Sequence, residues 1–311
     1  MLFQPEQWLR ELGATGASLG IRELLYYRNK TMYLDLTPKK AIHAKMAGTY
    51  LARSKGRGME FDEARHYQPG DDIRSIDWRV TARTGKTHTK LYREEKERPV
   101  FVLVDLSSSM YFGTRLLFKS VQAAHLAALI AWSAQKRGDR IGGLIFNQQQ
   151  HREYKPFTRA KAVLTLLGGI EQHHQPDGTH GHMHLTDACA RLRRLAHPGS
   201  KIFIISDFLQ LDDTSVRHIH HLTRHCEVTA CVISDPFEHQ LPDVSVPQQL
   251  AITDGDIQQK LWLGDKDAAK SYQQNHARMY ASIEQQLQQA KASIMAIDAA
   301  LPLTMQLGQP R

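Results

Sequence analysis

Cysteine is scarce: Cys189, Cys226 and Cys231 are the only three in 311 residues, and no two form a C-x-x-C pair. That odd, scattered set excludes a disulfide framework. Long hydrophobic runs are missing too. No apolar stretch approaches the ~20 residues that cross a bilayer, so no membrane insertion is expected. The first residues carry neither a basic n-region nor an apolar h-region, which points to a cytoplasmic protein. There is no G-x-x-x-x-G-K-[ST] loop, so ATP hydrolysis by this chain is not expected. No G-x-S-x-G elbow presents a nucleophile, and no H-E-x-x-H places zinc on a helix.

Charge of one sign is also lacking where charge is densest. The chain holds 40 Lys and Arg against 32 Asp and Glu, a net +8 that favours acidic partners. Residues 53–98, however, mix 12 basic with 9 acidic side chains. A phosphate-binding track is more one-sided, so nucleic acid is not an expected partner.

What is present is a folded chain with α/β alternation. Hydrophobic residues make up 41% and charged residues 23%, and the length supports a full core. Residues 1–47 read as an N-terminal helical arm without a catalytic motif. Residues 48–98 are punctuated by Gly56, Gly58, Pro69-Gly70 and Thr84-Gly85, and 87–92 alternate as a half-buried strand does. This stretch is expected to be a small β-rich module. From 99 to 299 apolar runs at 100–104, 141–146, 202–205, 228–233 and 294–297 predict strands. Helical spacing fills the gaps, over about 114–136, 159–167, 188–195, 215–225 and 267–292. Residues 300–311 are left as a tail. Strands apolar on both faces and separated by helices predict a doubly wound, mostly parallel, Rossmann-like sheet. Such sheets bind ligands at the carboxyl ends of their strands, where the strand order reverses.

Two strand ends carry the chemistry. Asp105-Leu106-Ser107-Ser108-Ser109 follows the run at 100–104, and Ser206-Asp207 follows the run at 202–205. Carboxylates and hydroxyls are hard oxygen ligands that suit Mg²⁺ or Mn²⁺ better than zinc or copper. The bland alternative is a strand end whose Ser and Asp cap the next helix. A histidine-rich stretch, His173, His174, His180, His182 and His184, offers a competing zinc reading, but its spacing matches no closed zinc site. A hydrolase using Asp105 and Asp207 with a metal-activated water is a further alternative, although the ligands suffice for only one ion.

Asp105-x-Ser107-x-Ser109 with Ser206-Asp207 resembles the metal-ion-dependent adhesion site of von Willebrand factor type A domains. The segment 60–78, EFDEARHYQPGDDIRSIDW, resembles the signature of the family called domain of unknown function 58, as do Thr81-Ala82-Arg83-Thr84-Gly85-Lys86 and Glu94-Glu95. Asp235-Pro236-x-Glu238-x-x-Leu241-Pro242 resembles that family's later motif. The resemblance implies a type A-like fold and a non-catalytic, Mg²⁺- or Mn²⁺-dependent adaptor that serves a MoxR-type AAA+ ATPase and a client protein. It implies Ser107 and Ser109 as direct ligands, with Asp105 and Asp207 direct or through water. A threonine should complete the set: Thr179, which follows a glycine but lies early, is preferred to Thr186, which adjoins the helix start without one. Asp71, Asp72, Arg65, Arg74, Asp77 and Arg83 either form internal ion pairs or make a docking face. If the metal site is empty, the chain is a structural scaffold.

Overall fold

The computed structural model describes residues 4–37, 59–94, 97–175, 183–242, 244, 248–253 and 258–308. It begins with helices α1 (Pro5–Leu12) and α2 (Ile21–Tyr26), then β1 (Met59–His66), α3 (Trp78–Thr84) and β2 (His88–Glu94). The apolar runs follow as β3 (Pro99–Asp105), α4 (Lys119–Arg137), β4 (Arg140–Phe146) and β5 (His151–Phe157). Next come α5 (Ala160–His173), α6 (Leu185–Leu195), β6 (Lys201–Ser206), α7 (Asp213–Thr223) and β7 (Glu227–Ser234). The chain continues through α8 (Pro236–His239), β8 (Gln248–Thr253), β9 (Gln258–Leu263), α9 (Lys266–Gln289), β10 (Ser293–Asp298) and α10 (Leu303–Gln306).

The main sheet has the order β10-β7-β6-β3-β4-β5, parallel throughout except for the antiparallel edge strand β5. Period-two alternation divides the side chains between two cores. Val100, Val102 and Val104 of β3 pack on α4 and α5, whereas Phe101 and Leu103 face Leu185 and Leu192 of α6 and Ile219 of α7. This is the doubly wound, mostly parallel α/β fold. The chain leaves β3 for β4 on one side and returns to β6 on the other, so the strand order reverses between β3 and β6.

Two compact units divide the chain: Met1–Thr37 with Arg98–Arg311, and Pro38–Glu97. The stretch read as an N-terminal helical arm, 1–47, divides at 37, and its first part belongs to the unit of the sheet. Leu24, Tyr27 and Leu36 are buried over α4. His125 of α4 lies 3.2 Å from the Tyr27 hydroxyl and 3.0 Å from Glu23 Oε2, and Trp132 donates to the Leu24 carbonyl. This extra layer explains why every residue of α4 from 119 to 134 is buried. Residues 303–306, expected as tail, form α10, with Leu303 in the same core.

The second unit pairs β1 with β2 antiparallel and adds α3, whose N-terminal amides at Arg79 and Val80 donate to Asp77. Two paired strands and one α-helix make up most of its described regular structure. Arg65 pairs with Asp71 at 2.8 Å, while Ile73 and Trp78 are exposed.

Both glycines of β4 meet close backbone, Gly143 at the Val102 carbonyl of β3 and Gly142 at β5. A Cβ on Gly142 would lie 2.6 Å from the Tyr154 carbonyl oxygen and 2.8 Å from the Pro156 nitrogen, at the register shift with β5. Because both obstacles are main chain, Gly142→Ala is expected to cost about 1–3 kcal/mol, measured by urea unfolding. An unchanged midpoint would show that β5 yields freely.

Candidate functional site

The reversal between β3 and β6 brings the two strand-end carboxylates together. Val104 pairs with Ile205, so Asp105 and Ser206 leave neighbouring strands side by side. Ser206 donates its hydroxyl to Asp105 Oδ2 at 2.6 Å, and the Ser107 amide donates to Asp105 Oδ1 at 2.9 Å. Ser107 precedes a short 3₁₀ turn, Ser108–Met110, which returns Ser109 to its side. The Ser107 and Ser109 hydroxyls lie 3.4 Å apart. Gln148, just past β4, donates to the Ser108 hydroxyl at 2.7 Å and forms the rim on that side.

Asp207 follows β6 directly. The next residue, Phe208, has φ 58°, in the left-handed region that costs a non-glycine residue about 1–3 kcal/mol. Amides on both sides of this turn are satisfied locally: Phe208 N–H donates to Ser206 Oγ, and Leu209 N–H to Asp207 Oδ1. The second Asp207 oxygen accepts from Lys119.

Lys119 opens α4 and is fully buried. Its ammonium donates to Asp207 Oδ2 at 2.9 Å and to Glu238 Oε1 at 2.6 Å. Sequence reasoning missed Lys119 and met its second partner only as one residue of a motif. The later family-like motif supplies that partner: Glu238 sits in α8, and its other oxygen accepts the Asp235 amide at 2.9 Å. Asp235 in turn accepts from the Thr114 amide and hydroxyl. The motif therefore ties the loop after β7 to the segment that enters α4.

Burial dominates the electrostatics. It pushes the Asp105 carboxyl up to about 6, with the Asp207 charge adding to the rise, while Ser206 and Ser107 pull the other way. For Lys119, burial works against the charge, but Asp207 and Glu238 outweigh it and hold the ammonium above its ordinary range.

Asp105, Ser107, Ser109 and Asp207 thus meet at one place. Thr179 lies outside the described residues, as do His180 and His182. Thr186 is engaged elsewhere, donating to Asp212 and lying 2.8 Å from the Ser215 hydroxyl. His173 bonds the Gly169 carbonyl, and His174 lies 3.0 Å from the Ser120 hydroxyl. Among the described residues no three His, Cys, Asp or Glu side chains gather as a metal cluster. Any ion here would rest on serine hydroxyls as much as on carboxylates. None of the described helices is long and apolar enough to cross a membrane.

A model of the family described as "Protein of unknown function DUF58" matches residues 63–282. Uncharacterised proteins of Mycobacterium bovis and Mycobacterium tuberculosis are 35% identical over 212 residues, 68% of this chain and 66% of theirs. The aligned stretch is thus just under two thirds of their length. Among solved structures, BatB of Bacteroides thetaiotaomicron is 13% identical with a TM-score of 0.41, covering 65% of this chain and 90% of that one. The SpRpn10 VWA domain is 11% identical with a TM-score of 0.36, covering 68% and 94%.

Proposed function

The chain belongs to the family of proteins of unknown function DUF58, and on that premise we propose that it is a non-catalytic, divalent-cation-dependent protein-binding module. The supporting observation is the convergence of Asp105, Ser107, Ser109 and Asp207 at the strand-order reversal. All donors are hard oxygens, which fit Mg²⁺ or Mn²⁺. Ser107 and Ser109 would hold the ion, with Asp105 and Asp207 behind them. When bound, the ion supplies a coordination position for a carboxylate from a partner. The chain's own part is orientation: the Ser206 hydroxyl and the Ser107 amide fix the Asp105 plane, and the 3₁₀ turn sets two hydroxyls side by side.

The same bonds favour binding over hydrolysis. Each Asp105 oxygen already accepts a hydrogen bond, and the Lys119 ammonium is held by two carboxylates. The partner we propose is a MoxR-type AAA+ ATPase, with this chain as the adaptor that presents its client.

Titration calorimetry with Mg²⁺ and Mn²⁺ tests this directly. We expect one saturable site in the wild type and none in Asp105→Ala, with folding of both checked by circular dichroism. Ser107→Ala should weaken binding by about 10- to 100-fold, and capture of a purified MoxR-type ATPase should require the cation. An absence of binding by the wild type would overturn the cation-dependent mechanism and leave a scaffold whose buried charge Lys119 balances.

A further inference from the structure

Lys119 is a buried cation placed where the donor set would meet a second one. Its ammonium lies 2.9 Å from Asp207 Oδ2, and the remaining Asp207 oxygen accepts the Leu209 amide at 3.1 Å. Both oxygens of this carboxylate therefore face protein donors. To ligate an ion through Oδ2, Asp207 would have to release Lys119 into a fully buried position with Glu238 alone. Low effective dielectric makes that exchange expensive and makes the ammonium repel a nearby divalent ion. Both Asp105 oxygens are engaged as well, but by the neutral Ser206 hydroxyl and Ser107 amide rather than by an ammonium.

From this arrangement we propose that Lys119 is a positioning residue that holds Asp207 out of direct ligation and so sets the cation affinity of the site low. The inference rests on the cation-site reading above. Glu238 is the other half of the device. It shares the ammonium with Asp207, at 2.6 Å, and is itself anchored by the Asp235 amide. Without the Glu238 charge, the ammonium would lean on Asp207 alone and clamp it harder. Without the ammonium, Asp207 would be free to turn to the ion.

Net charge and ligation can be separated by choice of variant. In the wild type three carboxylates stand against one ammonium, a sum of −2 from Asp105, Asp207, Glu238 and Lys119. In Lys119→Met combined with Glu238→Gln, Asp105 and Asp207 alone also give −2, and the glutamine oxygen still accepts the Asp235 amide. If affinity followed net charge alone, the two proteins would bind equally.

The experiment is Mn²⁺ titration of the full chain by calorimetry, alongside thermal unfolding with chelator and with Mn²⁺. The double variant should bind Mn²⁺ at least about tenfold more tightly than the wild type and gain more thermal stability from it. Glu238→Gln alone should bind more weakly than the wild type. Equal or weaker binding by the double variant, beside a wild type that binds, would overturn the role of Lys119 and leave the site reading standing. No Mn²⁺ binding by any of the proteins would overturn both. Should the double variant not fold even with Mn²⁺, Lys119→Gln combined with Glu238→Gln decides, because it keeps the sum of −2 and leaves neutral donors beside Asp207: tighter binding than the wild type supports the clamp, and equal or weaker binding refutes it.

Discussion

Lys119→Met is expected to destabilise the metal-free protein by about 3–5 kcal/mol, the usual result of removing one partner from a buried ion pair. Methionine matches the length of the lysine stem, so packing at the start of α4 is largely kept. What changes is charge. Asp207 and Glu238 lose the ammonium that both contact, and Asp207 is almost wholly inaccessible to water. The sign of the pH dependence follows from the raised Lys119 pKa. A raised folded-state value stabilises fully below the unfolded ammonium pKa, roughly 10.4, and is lost as pH climbs through the folded one. The gap between wild type and variant should therefore be steady across neutral pH and close only in strong alkali. Urea unfolding at pH 7 with a chelator measures it. A loss below about 1 kcal/mol would mean that the two carboxylates find protons or water instead.

Why Lys119 escaped sequence reasoning is instructive. Strands were legible because their apolar runs are short and bounded: the runs at 100–104 and 202–205 became Pro99–Asp105 and Lys201–Ser206. That placement alone brought Asp105 and Asp207 to the strand-order reversal. The helix expected over 114–136 begins only at Lys119, because the Thr114 amide and hydroxyl turn to Asp235 and the Phe118 amide donates to the Gly16 carbonyl. Such bonds join residues more than a hundred positions apart and leave no local pattern. A signal did exist: a lone lysine ahead of the run Val121-Gln122-Ala123-Ala124-His125-Leu126, in a helix small or apolar on every side, has nowhere to reach water. A buried lysine needs a carboxylate. Edge strand β5 escaped for the opposite reason. His151–Phe157 has no buried residue, is largely polar and carries Pro156, a residue that sheets confine to their edges. The hairpin of β8 and β9 was likewise not foreseen.

Asp105→Asn is expected to make the metal-free protein more stable at pH 7.5 while abolishing its response to Mg²⁺. The Asp105 carboxyl is lifted from 3.8 to about 6, chiefly by burial and then by the Asp207 charge. For a raised acid, the favourable contribution is complete below the unfolded value and is lost as pH rises through the folded one. The wild type without metal should thus lose stability between about pH 4 and pH 6 and stay lower above, by about 3 kcal/mol. Asparagine removes the charge and keeps an oxygen for the Ser107 amide. Its NH₂ group would donate to the Ser206 hydroxyl, reversing the bond now made to Asp105, which trims the gain to about 1–3 kcal/mol. Thermal melts of both proteins at pH 5 and pH 8, with chelator and with Mg²⁺, decide the matter. In chelator the variant should lead at pH 8 and lose its lead toward pH 4; with Mg²⁺ only the wild type should rise. A variant less stable than the wild type at pH 8 in chelator would mean that Asp105 is a structural cap and not a ligand waiting for a cation. The predicted inversion has one physical root: a carboxylate kept charged and dry beside Asp207 is worth its destabilisation only if a cation relieves it.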